Sequence, residues 1–251
     1  RKRCGYADIC AAVHPYGCSQ LHDDLEGTRR ILAGLGSNPN NGGVLVVSLG
    51  CENNTLEEFL PCLSLSDPSR LRILRAQEAG DEIEAGVALV SQLAELVKAD
   101  KRVPCRLSDL TVGLKCGGSD ALSGVTANPV VGALADKIVG AEQRLLCRCA
   151  ERDIFGSLAD VIQDFKKYFT DHGESVGENP SPGNKEGGIT TLEEKSLGCV
   201  LKGGHSPVCG VVRYGGTVSA KGLTVLEAPG NDGAATTALA AAGAQVVLFT
   251  T

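Results

Sequence analysis

GVLVVSLGCENN, residues 43–54, decides how the fold is read. Val44–Leu49 is a β-branched and aliphatic run of strand length, interrupted only by Ser48, and such runs suit strands buried on both faces of a parallel sheet. The run ends at Gly50, and a thiol, a carboxylate and two amides follow at Cys51, Glu52, Asn53 and Asn54. Working outward, comparable runs occur at Ile9–His14, Leu71–Ala76, Leu110–Leu114, Val208–Tyr214, Leu223–Glu227 and Gln245–Thr250. Amphipathic stretches between them predict helices at Asp23–Leu35, Thr55–Leu63, Asp81–Lys98, Pro129–Val139, Glu142–Asp171, Leu192–Lys202 and Ala234–Ala242. Strands alternating with helices make βαβ units with right-handed crossovers. The expected class is α/β: a mostly parallel sheet with helices on both faces, a three-layer Rossmann-like arrangement, with an added helical layer.

Local signals support the helices. Thr55 and Glu58 have the spacing of a capping box. Acids crowd the start of Asp81–Lys98 and a lysine ends it, which suits the helix dipole. Glu142–Asp171 reads as one long helix, with a break expected near Gly156, followed by a loop rich in Gly, Pro, Asn and Ser at Glu174–Gly188. The expected division is a doubly wound domain over residues 1–139 and a helical segment with a second α/β part over 140–251.

A net charge of −6 lacks the basic stripe that grips nucleic acid. No apolar run approaches the ~20 residues of a membrane span. The basic opening RKRCGYADIC has no long apolar stretch, so no signal peptide is expected. Eleven cysteines are an odd number without the density of a disulfide scaffold, which fits reduced thiols in a cytoplasmic enzyme.

Three of those thiols stand out. Cys18 in HPYGCSQ, Cys51 in SLGCENN and Cys116 in LKCGGSD each follow an expected strand beside a glycine. Open α/β sheets bind ligands beyond the carboxyl ends of their strands, so the three are expected to converge on one crevice. With His14 and Glu52 they are the candidate metal ligands. Cys62, Cys105, Cys147, Cys149, Cys199 and Cys209 read as small structural hydrophobes. No CxxC pair is present, which disfavours a zinc ribbon.

ENPSPGNKEGGITTLEEKSLG, residues 178–198, brings Gly, Lys and Thr to an expected helix start. There Asn184, Lys185 and the amides near Thr190 and Thr191 could hold an anion; an ordinary capped surface loop is the competing reading. Ser119 and Asp120 join them as substrate-binding candidates. Glu142, Lys195 and Asp232 are candidates for proton transfer, Asp232 equally readable as a simple cap. No GxGxxG follows a strand and no P-loop is present.

HPYGCSQ, GVLVVSLGCENN, GDEIEAG, LKCGGSDALSGVTANP, GAEQ, NPSPGNKEGGITTLEEKSLG and APGNDGAATTALAAAGAQVVLFTT together resemble the altronate/galactarate dehydratase family, over nearly the whole chain. The HPYGCSQ and APGND forms look closer to its altronate branch. The resemblance implies a hydro-lyase that removes water from D-altronate to give 2-dehydro-3-deoxy-D-gluconate in hexuronate breakdown. It implies ferrous iron as cofactor, with manganese as a substitute; an iron–sulfur cluster on the three thiols is the alternative. Galactarate dehydration, a sulfolactate sulfo-lyase-like elimination and a noncatalytic sugar-acid-binding subunit are the competing functions. The family pattern also implies an N-terminal β-rich domain, a segment between Val139 and Gly140, and residues beyond Thr251. A cytoplasmic homo-oligomer acting on a small sugar acid is the expected setting.

Overall fold

The computed structural model describes residues 9–117, 120–139, 148–176 and 180–250. Its contacts divide the chain into two compact units: residues up to Arg106 with Gly215–Thr217 and Ala240–Gln245, and Leu107–Tyr214 with Val218–Leu239 and the C-terminal strand. The boundary expected at Val139 falls inside the second unit.

In the first unit, helix α1 (His22–Gly36) leads into strand β1 (Val44–Ser48). The short helix α2 (Leu56–Phe59) continues as a 3-10 turn over Leu60–Cys62. Strand β2 (Leu71–Arg75) and helix α3 (Glu82–Lys98) follow. β1 and β2 pair in parallel, from Val44 opposite Leu71 to Ser48 opposite Arg75, and α3 packs on both. Ile31, Ala33, Leu56, Phe59, Leu74 and Leu93 are buried, as are Ala241, Ala242 and Ala244. Gly34 lets α1 approach that alanine segment, because a Cβ at Gly34 would stand 2.4 Å from the Ala241 carbonyl oxygen. The Asn38 amide donates to the carbonyls of Ala240 and Ala244 at 2.8 and 3.0 Å. Asp81 caps α3 by accepting from the Ile83 and Glu84 amides, a contact type that contributes about 1 kcal/mol.

The second unit holds strand β3 (Val112–Cys116) and helices α4 (Ala121–Val125), α5 (Ala127–Val139) and α6 (Arg152–Asp171). Helices α7 (Pro182–Glu186) and α8 (Leu192–Val200) come next. Strands β4 (Val208–Val212) and β5 (Leu223–Leu226), helix α9 (Asp232–Ala241) and strand β6 (Val246–Thr250) complete the order. β3 pairs with β6 and β4 with β5, both in parallel.

The α/β class and parallel pairing agree with the sequence. The strands form three two-stranded ladders among the described residues. Val47 and Ile73 are 60% and 40% exposed, so β1 and β2 are not covered on both faces. Ile9–His14 is irregular backbone and enters no ladder. Thr55 sits at the start of α2 without a side-chain cap, and Glu58 instead pairs with Arg29. The long helix begins only at Arg152 and runs unbroken through Gly156. Cys149 makes an isolated parallel bridge to Val208 and is not helical. Cys147 and the start of the expected helix, Glu142 included, lie outside the described residues. Ser181, Pro182 and Asn184 make a capping box that folds α7 out of the expected loop.

Asp136 ties α5 to the chain before β4. Its Oδ1 accepts from the amides of His205 and Ser206 and from the Ser206 hydroxyl, and its Oδ2 lies 2.9 Å from His205 Nδ1. Burial alone would raise the Asp136 pKa. The donated hydrogen bonds together outweigh it and hold the carboxyl below its usual range. A carboxyl depressed in the folded state contributes stability above its unfolded pKa and loses it as pH falls through the folded value. Asp136→Asn is therefore expected to lower the thermal midpoint at neutral pH. The gap to the parent should close on acidification below about pH 4, as thermal melts across that range will read.

Candidate active site

Ionic and thiol side chains of the second unit gather where β3 and β6 end. Cys116 is the last residue of β3, opposite Thr250, and the Gly117 amide donates to the Thr250 carbonyl. Lys115 sits beside it, with Nζ 2.9 Å from Asp232 Oδ1 at the start of α9. Cys199, near the end of α8, donates its thiol to Cys116 with 3.7 Å between the sulfurs. Lys195 lies one turn earlier on α8 and shares that helix face. Its ammonium donates to Asn184 Oδ1 at 2.8 Å. Asn184 is itself fixed by the Ser181 hydroxyl at 2.9 Å. The α7–α8 link rests on the start of α4 through the Ala121 amide and Gly187 carbonyl, 2.9 Å apart. Gly187 and Gly188 make this approach possible: a Cβ on either would meet the Asp120 or Ala121 Cβ at 3.1 Å.

Several candidates serve as local fasteners. Asp120 caps α4 by accepting from the Ser123 amide at 2.6 Å. Thr191 caps α8 by accepting from the Glu194 amide. The Thr190 amide and hydroxyl both donate to Glu194 Oε2, at 2.9 and 2.8 Å. The Thr190 amide leads the causes that hold the Glu194 carboxyl below its usual range. The expected anion site at this helix start thus already contains a carboxylate of the same helix. Lys185 is exposed on α7. Ser119 and Glu142 lie outside the described residues.

Cys18 and Cys51 belong to the first unit, and Cys116 to the second. Cys18 follows irregular backbone and not a strand. The HPYGCSQ and GCENN loops do meet: the Asn53 amide donates to the Gly17 carbonyl at 3.3 Å and its side chain to the Cys18 carbonyl at 3.4 Å. Both thiols there are exposed. His14 stacks on Tyr16, and among the described residues its buried Nδ1 meets no hydrogen-bond partner. Glu52 folds back on the end of β1, accepting from the Ser48 hydroxyl and from the Leu49 and Gly50 amides. Burial opposes its ionisation, but these donors together keep its pKa low. Among the described residues no three His, Cys, Asp or Glu side chains stand together as a metal site.

Lys115 is not read as a site residue from the sequence, and Cys199 reads there as a small structural hydrophobe. Lys115 adjoins a flagged cysteine, and the spacing of Lys195 and Cys199 puts both on one helix face. Cys62 and Cys105, read as buried hydrophobes, are exposed.

Charged and thiol groups thus gather at the carboxyl ends of two parallel strands, where open α/β sheets as a class bind ligands. The boundary at Leu107 recurs in the comparisons with known proteins. Residues 107–251 match the sequence model described as D-galactarate/Altronate dehydratase, C-terminal. Residues 4–98 match D-galactarate dehydratase/Altronate hydrolase, second domain. The chain belongs to the D-galactarate/altronate dehydratase family. It is 49% identical to the altronate dehydratase of Bacillus subtilis (strain 168), covering 98% of this chain and 52% of that protein. It is 48% identical to the altronate dehydratase of Escherichia coli (strain K12), over 95% and 51%. Identity to the galactarate dehydratase (L-threo-forming) of the same strain is 31%, over 88% and 47%. The chain spans about half the length of these curated relatives.

Proposed function

We propose that the protein containing this chain is a sugar-acid dehydratase that converts D-altronate to 2-dehydro-3-deoxy-D-gluconate and water. The observation that carries this reading is the identity of 49% and 48% to two altronate dehydratases, against 31% to a galactarate dehydratase. The second unit supplies matching groups. Lys195, steadied by Asn184, binds the substrate carboxylate or protonates the departing C3 hydroxyl. Lys185 adds positive charge at the rim. Asp232, held at one oxygen by Lys115, offers its other oxygen to the C2 proton. Loss of that proton and of the C3 hydroxide, together one water, leaves an enol, which tautomerises to the 2-keto acid. Glu142 is a further candidate for proton transfer.

Ferrous iron, or manganese in its place, is retained as a proposed cofactor, with an iron–sulfur cluster as the alternative; either would add Lewis-acid polarisation. No step above is routed through it. Metal and inorganic-sulfide determination on anaerobically purified protein separates the two. A cytoplasmic homo-oligomer is the proposed setting; among the described residues no helix is long and apolar enough to cross a membrane.

The test is an anaerobic assay of the full-length protein with ferrous ion and altronate, galactarate or sulfolactate. A 2-keto-3-deoxy acid is expected from altronate. Turnover of galactarate or sulfolactate alone would reassign the substrate, and turnover of none would reject the dehydratase.

A further inference from the structure

Cys116 and Cys199 face each other at 3.7 Å, 83 positions apart in sequence, and both are half-buried. A buried asparagine holds the two backbones in place. Asn128 is 1% exposed; its Nδ2 donates to the Gly198 carbonyl at 2.9 Å, and its Oδ1 accepts from the Thr250 hydroxyl at 3.3 Å. Gly198 precedes Cys199, and Thr250 is the ladder partner of Cys116. A satisfied buried amide of this kind fixes its neighbours. The thiols are thus held in contact, and a modest side-chain movement brings them to the S–S bond length of about 2.05 Å.

We propose that Cys116 and Cys199 form a reversible oxidation site, with a hydroperoxide as oxidant. The Cys116 sulfur, which accepts the Cys199 S–H, attacks the peroxide; the O–O bond breaks and a sulfenic acid and water (from hydrogen peroxide) result. Cys199 then attacks the sulfenic sulfur, the S–S bond forms, and the oxygen leaves as a second water. The two thiols lose two protons and two electrons, and the peroxide gains them. Cys199 thereby spares Cys116 from the irreversible sulfinic and sulfonic acids. The bond would clamp α8 to the end of β3 beside Lys195. Its formation does not depend on the proposed activity, whereas its effect on turnover rests on that reading.

The chain supplies its own competitors, because Cys10, Cys18, Cys51, Cys62 and Cys105 are all exposed. Reduced full-length protein is titrated with hydrogen peroxide, its remaining thiols are alkylated, and non-reduced peptides are mapped by mass spectrometry. The Cys116–Cys199 cross-link is expected first, independent of protein concentration and reversed by dithiothreitol. In Cys199→Ser the cross-link is absent, and Cys116 proceeds to its sulfinic and sulfonic acids. Prior oxidation of the exposed thiols with Cys116 still alkylatable, or pairing of Cys116 with another cysteine, would overturn the proposal. A separate assay with altronate should lose about a hundredfold in the oxidised parent and recover on reduction. An intact cross-link with full turnover would leave the bond established and reject the clamp.

Discussion

Replacing Lys195 by methionine is expected to lower kcat/KM for altronate by a factor of about 10²–10⁴. Methionine keeps the unbranched stem and helix propensity of a half-buried position on α8, so the change removes chiefly the ammonium. That ammonium is fixed from one side by Asn184 Oδ1 and stands on the same helix face as Cys199. If Lys195 only binds the substrate carboxylate, KM rises and kcat holds. If it also delivers the proton to the leaving hydroxyl, kcat falls and its pH profile loses a limb. Asn184→Ala separates positioning from chemistry. It leaves the lysine in place but unsteadied, so a smaller loss is expected. Near-parental turnover in Lys195→Met, with the far-UV spectrum unchanged, would remove Lys195 from the mechanism.

The largest stability effect is expected at Gly132. Here α5 (Ala127–Val139) passes so close to the turn after α8 that a Cβ on Gly132 would lie 2.1 Å from the Leu201 carbonyl oxygen and 3.2 Å from Gly204 Cα. Both obstacles are backbone, so neither can rotate aside. Gly132→Ala therefore forces α5 away from a turn that Asp136 also anchors, at an expected cost of about 3 kcal/mol or more. Alanine is the better helix former by about 1 kcal/mol, so the clash wins by a clear margin. Gly156 provides the control. It lies inside α6 with nothing within 4 Å of its would-be Cβ. Gly156→Ala should raise stability by about 0.5–1 kcal/mol. Urea unfolding midpoints for the two variants should move in opposite directions; parallel shifts would show that the close approach at Gly132 is not rigid.

The two residues also show why part of the structure escaped the sequence. Both are glycines within helical patterns, and only the neighbour across the turn distinguishes them. Thr190 and Glu194 make a similar case: the sequence marks an anion-seeking helix start, but the anion is the helix's own Glu194. For HPYGCSQ, strand propensity at Ile9–His14 was read without a partner strand, and β-propensity expresses itself only against neighbours.

The sequence by itself determined where β1, β2, β4, β5 and β6 run, where α1, α3 and α8 begin, and that parallel pairing would follow. These features depend on periodicity, caps and glycines a few residues away. Tertiary structure alone decided which strands pair, that Cys199 meets Cys116, and that Asn128 fastens α8 to β6. Those contacts join segments separated by 70 to 122 positions. Their formation depends on burying surface against distant partners, a condition that no local stretch of residues encodes.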